Sequence, residues 1–135
     1  MQQAAFSIVN YQFDKVNIDL EHQHTDELNL GFETKGAYLN DSKSFELMFV
    51  VQVKNDNEPN PFITLRCKGL FKFENINAFE EIPEFFYRNS IAILFPYVRA
   101  YLSLVTTQAN VPGIILPTMN LSNLEGELRK NTIQK

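Results

Sequence analysis

Apolar and polar positions alternate through the first half of the chain, and in the second half the period changes. Phe6, Ile8 and Asn10 fall on one side and Ser7, Val9 and Tyr11 on the other, with the pattern running on through Phe13 and then Val16, Ile18 and Leu20. Period-two alternation rich in aromatic and β-branched residues predicts a strand, here bent near Asp14 and Lys15. The polar stretch EHQHTDE reads as a loop. Leu28, Leu30 and Phe32 then predict a second strand with one apolar face, and Gly31 and Gly36 mark places where a bulge or turn would suit. In SFELMFVVQVK, Phe45, Leu47, Phe49, Val51 and Val53 oppose Glu46, Met48, Gln52 and Lys54, which is the clearest strand of the chain. Beyond the turn-rich NDNEPNP, Ile63, Leu65 and Cys67 oppose Thr64, Arg66 and Lys68, and Gly69 is expected to shift the register. Adjacent strands joined by short polar links imply an antiparallel sheet with one packed face and one wetter face.

From Phe85 to Val105 the apolar spacing becomes three and four. Ile91, Leu94, Phe95, Val98, Leu102 and Val105 fall on one side of a predicted helix, and Phe86, Ile93, Tyr97, Ala100 and Leu104 on another. One sheet cannot cover both sides, so a second protein surface is the expected cover. Pro96 removes a backbone hydrogen bond and should kink or split this helix. Pro112, Gly113 and Pro117 exclude a helix from the next stretch, although it carries Val111, Ile114, Ile115, Leu116 and Met119. Loops run over surfaces because their backbone needs water, so so apolar a loop is either covered or a binding surface. A short terminal helix with Leu121, Leu124 and Leu128 follows, capped near Asn120 or Ser122. Strands first and helices last give an α+β domain, residues 1–135, with the helices on one face of the sheet.

Composition narrows what such a domain does. Its 135 residues can bury roughly two-thirds of the unfolded surface, and 12 Phe with 5 Tyr suit a chain that covers apolar surface. The net charge of −4 supplies no overall field for phosphate backbones, which disfavours nucleic acid. A single cysteine points to no oxidising compartment, and the first residues lack the pattern of a signal peptide, so a cytoplasmic location is the default. The longest apolar run, IAILFPYV, is far shorter than a membrane span, so no membrane insertion is expected.

Candidate chemistry is sparse. His22 and His24 could contribute to a metal site, but with no further His and one distant Cys two solvated loop histidines are favoured. Cys67 lies between Arg66 and Lys68, but on a strand those neighbours face away, which favours a buried structural thiol. Glu80, Glu81 and Glu84 suit the amino end of the long helix better than an acid–base pair. Without a phosphate loop or a nucleophile arrangement, the residues point to no enzyme and no cofactor. Binding is the remaining class.

The segment FYRNSIAILFPYVRAYLSLVTTQANVPGIILPTMNLSNL resembles the SecB family of ATP-independent export chaperones. The resemblance rests on ILFPY with Arg99 two residues on, the Pro112 loop with Ile114 and Leu116, and Asn120 with Leu124; LNLGFET, SFELMFVVQV and GLFKF match its second, third and fourth strands. It implies a SecB-like four-stranded antiparallel sheet, a long kinked helix and a short C-terminal helix on one face, and a homotetramer built as a dimer of dimers. Unfolded polypeptide clients would lie in apolar grooves formed here by Leu28, Leu30, Phe32, Val111, Ile114, Leu116, Leu121 and Leu124. Phe95, Tyr97, Val98, Leu102 and Val105 of the long helix would meet other subunits. Export members dock the SecA motor through acidic residues; Thr64, Arg66, Lys68 and the tail GELRKNTIQK depart from that pattern. Other members protect an antitoxin, and a dedicated partner chaperone of that kind is the alternative to a general holdase. A lipid or small-molecule cleft is a third reading.

Overall fold

The computed structural model describes residues 5–117 and 122–135. Inward-facing aromatic and aliphatic residues at alternate positions build β1 (Ala5–Ile18), β2 (Leu28–Leu39), β3 (Ser44–Asn55) and β4 (Ile63–Glu74), which pair antiparallel. A fifth strand, β5 (Thr132–Gln134), adds in parallel beside β2 at Gly36–Tyr38 and gives the order β1-β4-β3-β2-β5. Four strands were expected. The three residues TIQ are too few to show alternation, and only tertiary contact with β2 makes them a strand.

Between the strands and β5 lie α1 (Glu84–Gln108) and α2 (Ser122–Lys130). Phe45, Leu47, Phe49, Val51 and Val53 of β3 are fully buried, and α1 lays Ile91, Leu94, Val98 and Leu102 against that side of the sheet. At the amino end of α1, Phe86 packs edge-on against Phe6 and Phe45 with ring centroids 4.8 Å away in each case. α1 is long and apolar enough to cross a membrane by length and composition, yet this buried flank is held by the sheet.

Two sequence expectations about glycine fail. The β2–β3 register runs without interruption through Gly31 and Gly36, and both β4 pairings run unbroken through Gly69. A side chain at Gly36 would collide with the Phe45 ring, and one at Gly69 would lie 3.2 Å from Leu94. At both positions glycine makes room for a neighbouring side chain, which alternation along a strand does not reveal. The expected bend in β1 is real: its register shifts between Phe13 and Lys15, and again between Ile8 and Asn10.

α1 runs unbroken through Pro96. The carbonyl that loses its partner belongs to Ala92, and both residues are exposed, so water can serve it. At its other end Asn110, with φ 63°, takes the left-handed conformation that stops a helix, and its N–H donates to the Thr107 carbonyl at 3.0 Å.

The residues expected to contact other subunits divide. Phe95, Val98 and Leu102 are buried within one chain, because the sheet takes up that flank of α1. Tyr97 is exposed and Val105 half-buried, and the outward flank also carries Phe85 and Leu104, the latter 59% exposed.

Candidate functional site

The loop after α1 is anchored by a hydroxyl. Buried Thr106 donates to the Leu102 carbonyl at 2.8 Å and accepts the Ile114 N–H at 2.9 Å, joining the loop to the helix it leaves. From there the loop alternates: Ile114 is buried, Ile115 is 65% exposed and Leu116 is fully buried. An apolar loop can run here because two of its residues complete the core and only the one between them faces out.

Ile114 and Ile115 form one wall of an open cleft of about 410 Å³, with Pro112 and Gly113. Leu28 and Leu30 of β2 form the facing wall, and Gln23 and Asp26 its polar rim. Strand and loop residues far apart in sequence are thus brought together, as the resemblance implied. Other expected groove residues lie elsewhere. Phe32 is half-buried against Phe49, with ring centroids 6.1 Å apart, and Val111 is half-buried where the loop begins. Leu116 and Leu124 are buried in the core and, in this arrangement, offer a ligand no surface. Leu121 and the cap at Asn120 lie outside the described residues. Ile115 and Thr106 were missed as functional residues: the alternation Ile114–Ile115–Leu116 was the available signal for the first, and nothing local marks the second.

The edge of β2 beside this cleft is open over part of its length. β5 covers Gly36–Tyr38, where Gly36 N–H donates to the Asn131 carbonyl and Lys135 N–H to the Tyr38 carbonyl. Thr34 is engaged by α2, its hydroxyl donating to the Leu124 carbonyl at 3.2 Å. Among the described residues no strand pairs with the outer edge of Leu28–Glu33. α2 is held in place by Arg129, which reaches Glu84 at 2.8 Å and Glu125 at 3.1 Å.

The polar candidates form a structural network near the cleft. His24 pairs with Glu58 at 2.9 Å and His22 with Asp19 at 2.6 Å. Buried Asn55 accepts the His24 N–H and donates to the His22 carbonyl, which fixes the segment leading to Gln23 and Asp26. Among the described residues no group of three His, Cys, Asp or Glu could hold a metal. Cys67 is buried, and burial pushes its thiol up to about 12, far from a reactive thiolate.

The family described as preprotein translocase subunit SecB matches residues 6–129. The chain belongs to the SecB family. Relatives include an uncharacterized protein of Methanocaldococcus jannaschii, 39% identical with 58% of this chain and 65% of that protein covered. The protein-export protein SecB of Acinetobacter baumannii is 29% identical, covering 70% of this chain and 62% of its own. This chain thus spans under two thirds of the length of these relatives. The SecB fold is also that of a Mycobacterium tuberculosis SecB-like chaperone solved with a ChAD peptide from the HigA1 antitoxin, with a TM-score of 0.63 at 17% identity over 84% of this chain and 90% of the other.

Proposed function

We propose that the protein is a SecB-type chaperone, an ATP-independent holdase that keeps polypeptides unfolded by binding extended apolar segments in the cleft between β2 and the Ile114–Ile115 loop. The observation that carries this reading is the juxtaposition of Leu28, Leu30 and exposed Ile115 around one open cleft, beside a strand edge that no strand among the described residues pairs. Each apolar client side chain buried there contributes roughly 1.5–3 kcal/mol, so several weak contacts can hold a client without one dominant pocket. Backbone pairing along Leu28–Glu33 would add affinity that does not depend on client sequence. A homotetramer would cover the outward flank of α1 and set several such clefts side by side.

A second reading is a chaperone dedicated to one partner, such as an antitoxin; the antitoxin peptide bound by the M. tuberculosis chaperone of the same fold favours it. The two readings share the cleft and differ in breadth of binding. Ile115→Asp should weaken binding of a chemically unfolded model protein by about tenfold or more, measured by fluorescence anisotropy with and without nucleotide. Ile115 is exposed, so folding and mass should not change. Unchanged affinity would remove the loop from the site, and a wild-type protein that ignores unfolded chains would leave the dedicated reading.

A further inference from the structure

The face of the sheet opposite the helices has its own character. The strand registers place side chains in rows across it: Lys35, Met48, Lys68 and Gln12 in one, and Glu33, Val50, Arg66 and Lys15 in the next. Half-buried Met48 thus lies between Lys35 and Lys68, and half-buried Val50 between Glu33 and Arg66. Lys72 and Lys54 extend the same face, whose acidic strand residues are Asp14, Glu33, Glu46 and Glu74, with Glu33 pairing Lys35 at 3.2 Å. Asp14 is shared by Arg66 at 2.9 Å and Lys68 at 3.4 Å, so one carboxylate serves two cations. Among the described residues no ion pair is formed by Lys15, Lys54 or Lys72. A chain of net charge −4 thus carries more cations than carboxylates on this face, away from the client cleft.

At one end of this face the tail builds a cleft. β5 sets Ile133, 55% exposed, beside Ala37, and with Met48 they line about 170 Å³ rimmed by Lys35, Lys135 and Glu46. That volume suits one aliphatic or aromatic side chain. Lys35, Lys135 and Lys68, which neighbours Met48, outnumber Glu46 there and suit carboxylates on either side of that residue.

We propose that this outer face docks an acidic polypeptide segment carrying one apolar anchor, the anchor entering the cleft between Met48 and Ile133 and its carboxylates meeting Lys35, Lys68 and Lys135. A phosphate backbone would find no use for the apolar centre, and the single small cleft gives a lipid surface little to hold. The site is separate from the cleft at Ile115, so one chain can engage a client and this partner together.

The test is fluorescence anisotropy of the full chain with labelled short peptides that carry glutamates around one central residue, varied through Ala, Leu, Met and Phe, beside the same series with lysine for glutamate. Glutamate peptides with Leu, Met or Phe should bind about tenfold more tightly than the Ala member and the lysine series, and should weaken as salt rises. Lys35→Glu with Lys135→Glu, and separately Ile133→Asp, should abolish this preference while leaving the fold read by circular dichroism and the binding of unfolded protein unchanged. No preference for the anchored acidic peptides, or a preference that survives these substitutions, would overturn the proposal. So would tight binding to phosphatidylglycerol vesicles without peptide selectivity, which would make the face a membrane surface, or a rise in mass at low salt that the same substitutions remove, which would give it to a second copy.

Discussion

Tyr38 is fully buried at the β2 edge, and among the described residues its hydroxyl is the buried side-chain group without a hydrogen-bond partner. It sits among aromatic rings, 6.0 Å from Phe79 and 6.4 Å from Phe73 between centroids. Burial raises its pKa, with Glu81 and Glu80 adding to the effect, so it remains a neutral phenol whose lost hydration nothing replaces. Tyr38→Phe should therefore raise stability by about 1 kcal/mol, read as a higher urea midpoint with the same slope. A lower midpoint would mean that the hydroxyl has a partner in solution. Thr106 is the opposite case, a buried hydroxyl that both donates and accepts. Neither situation was legible in the sequence, because whether a buried polar atom is satisfied depends on residues distant in the chain.

Among elements, β1 and β4 are joined by a charged clamp at the β1 bulge. Arg66 donates from Nε to one Asp14 oxygen and from Nη2 to the other, each at 2.9 Å. These hydrogen bonds hold the Asp14 carboxyl below its ordinary 3.8. A depressed carboxylate stabilises the fold at pH values above its unfolded pKa, and that contribution disappears as the pH falls through the lower folded value. Urea midpoints of the wild type and Asp14→Asn should therefore differ by a constant amount above pH 3.8 and converge below it. A difference that persists into strong acid would show that the clamp acts through shape alone. Alternation made the four long strands legible, and the break at Asp14 and Lys15 made the bend legible. β5 was not legible, nor were the roles of Gly36 and Gly69, because these depend on which element lies alongside. The groove was legible in part: the resemblance to the SecB family named Ile114 and Leu116 but could not say which way the loop faced, and the structure turns Ile115 outward between them.

At the scale of the whole molecule, the long helix carries apolar residues that its own sheet does not cover. The buried flank includes Leu102, fully buried, so a charge placed there would break the core of one chain and say nothing of assembly. The outward flank is different. Tyr97 stacks on Tyr11 of β1 with ring centroids 4.2 Å apart while both remain exposed, and Leu104 projects about two turns further along. Tyr101 stacks on Phe13 at 4.3 Å beside them, and Val16 extends the same apolar strip along β1. A strip that joins a helix flank to the outermost strand is costly to leave in water and suits a second copy of the same surface. Leu104→Arg should therefore lower the mass found by light scattering from an oligomer to a smaller species, with circular dichroism unchanged because Leu104 makes no core. Ile115→Asp should leave that mass unchanged, since the two residues lie on separate surfaces. A wild-type protein that is already monomeric, or an assembly indifferent to Leu104→Arg, would show that the strip is covered by something other than this chain.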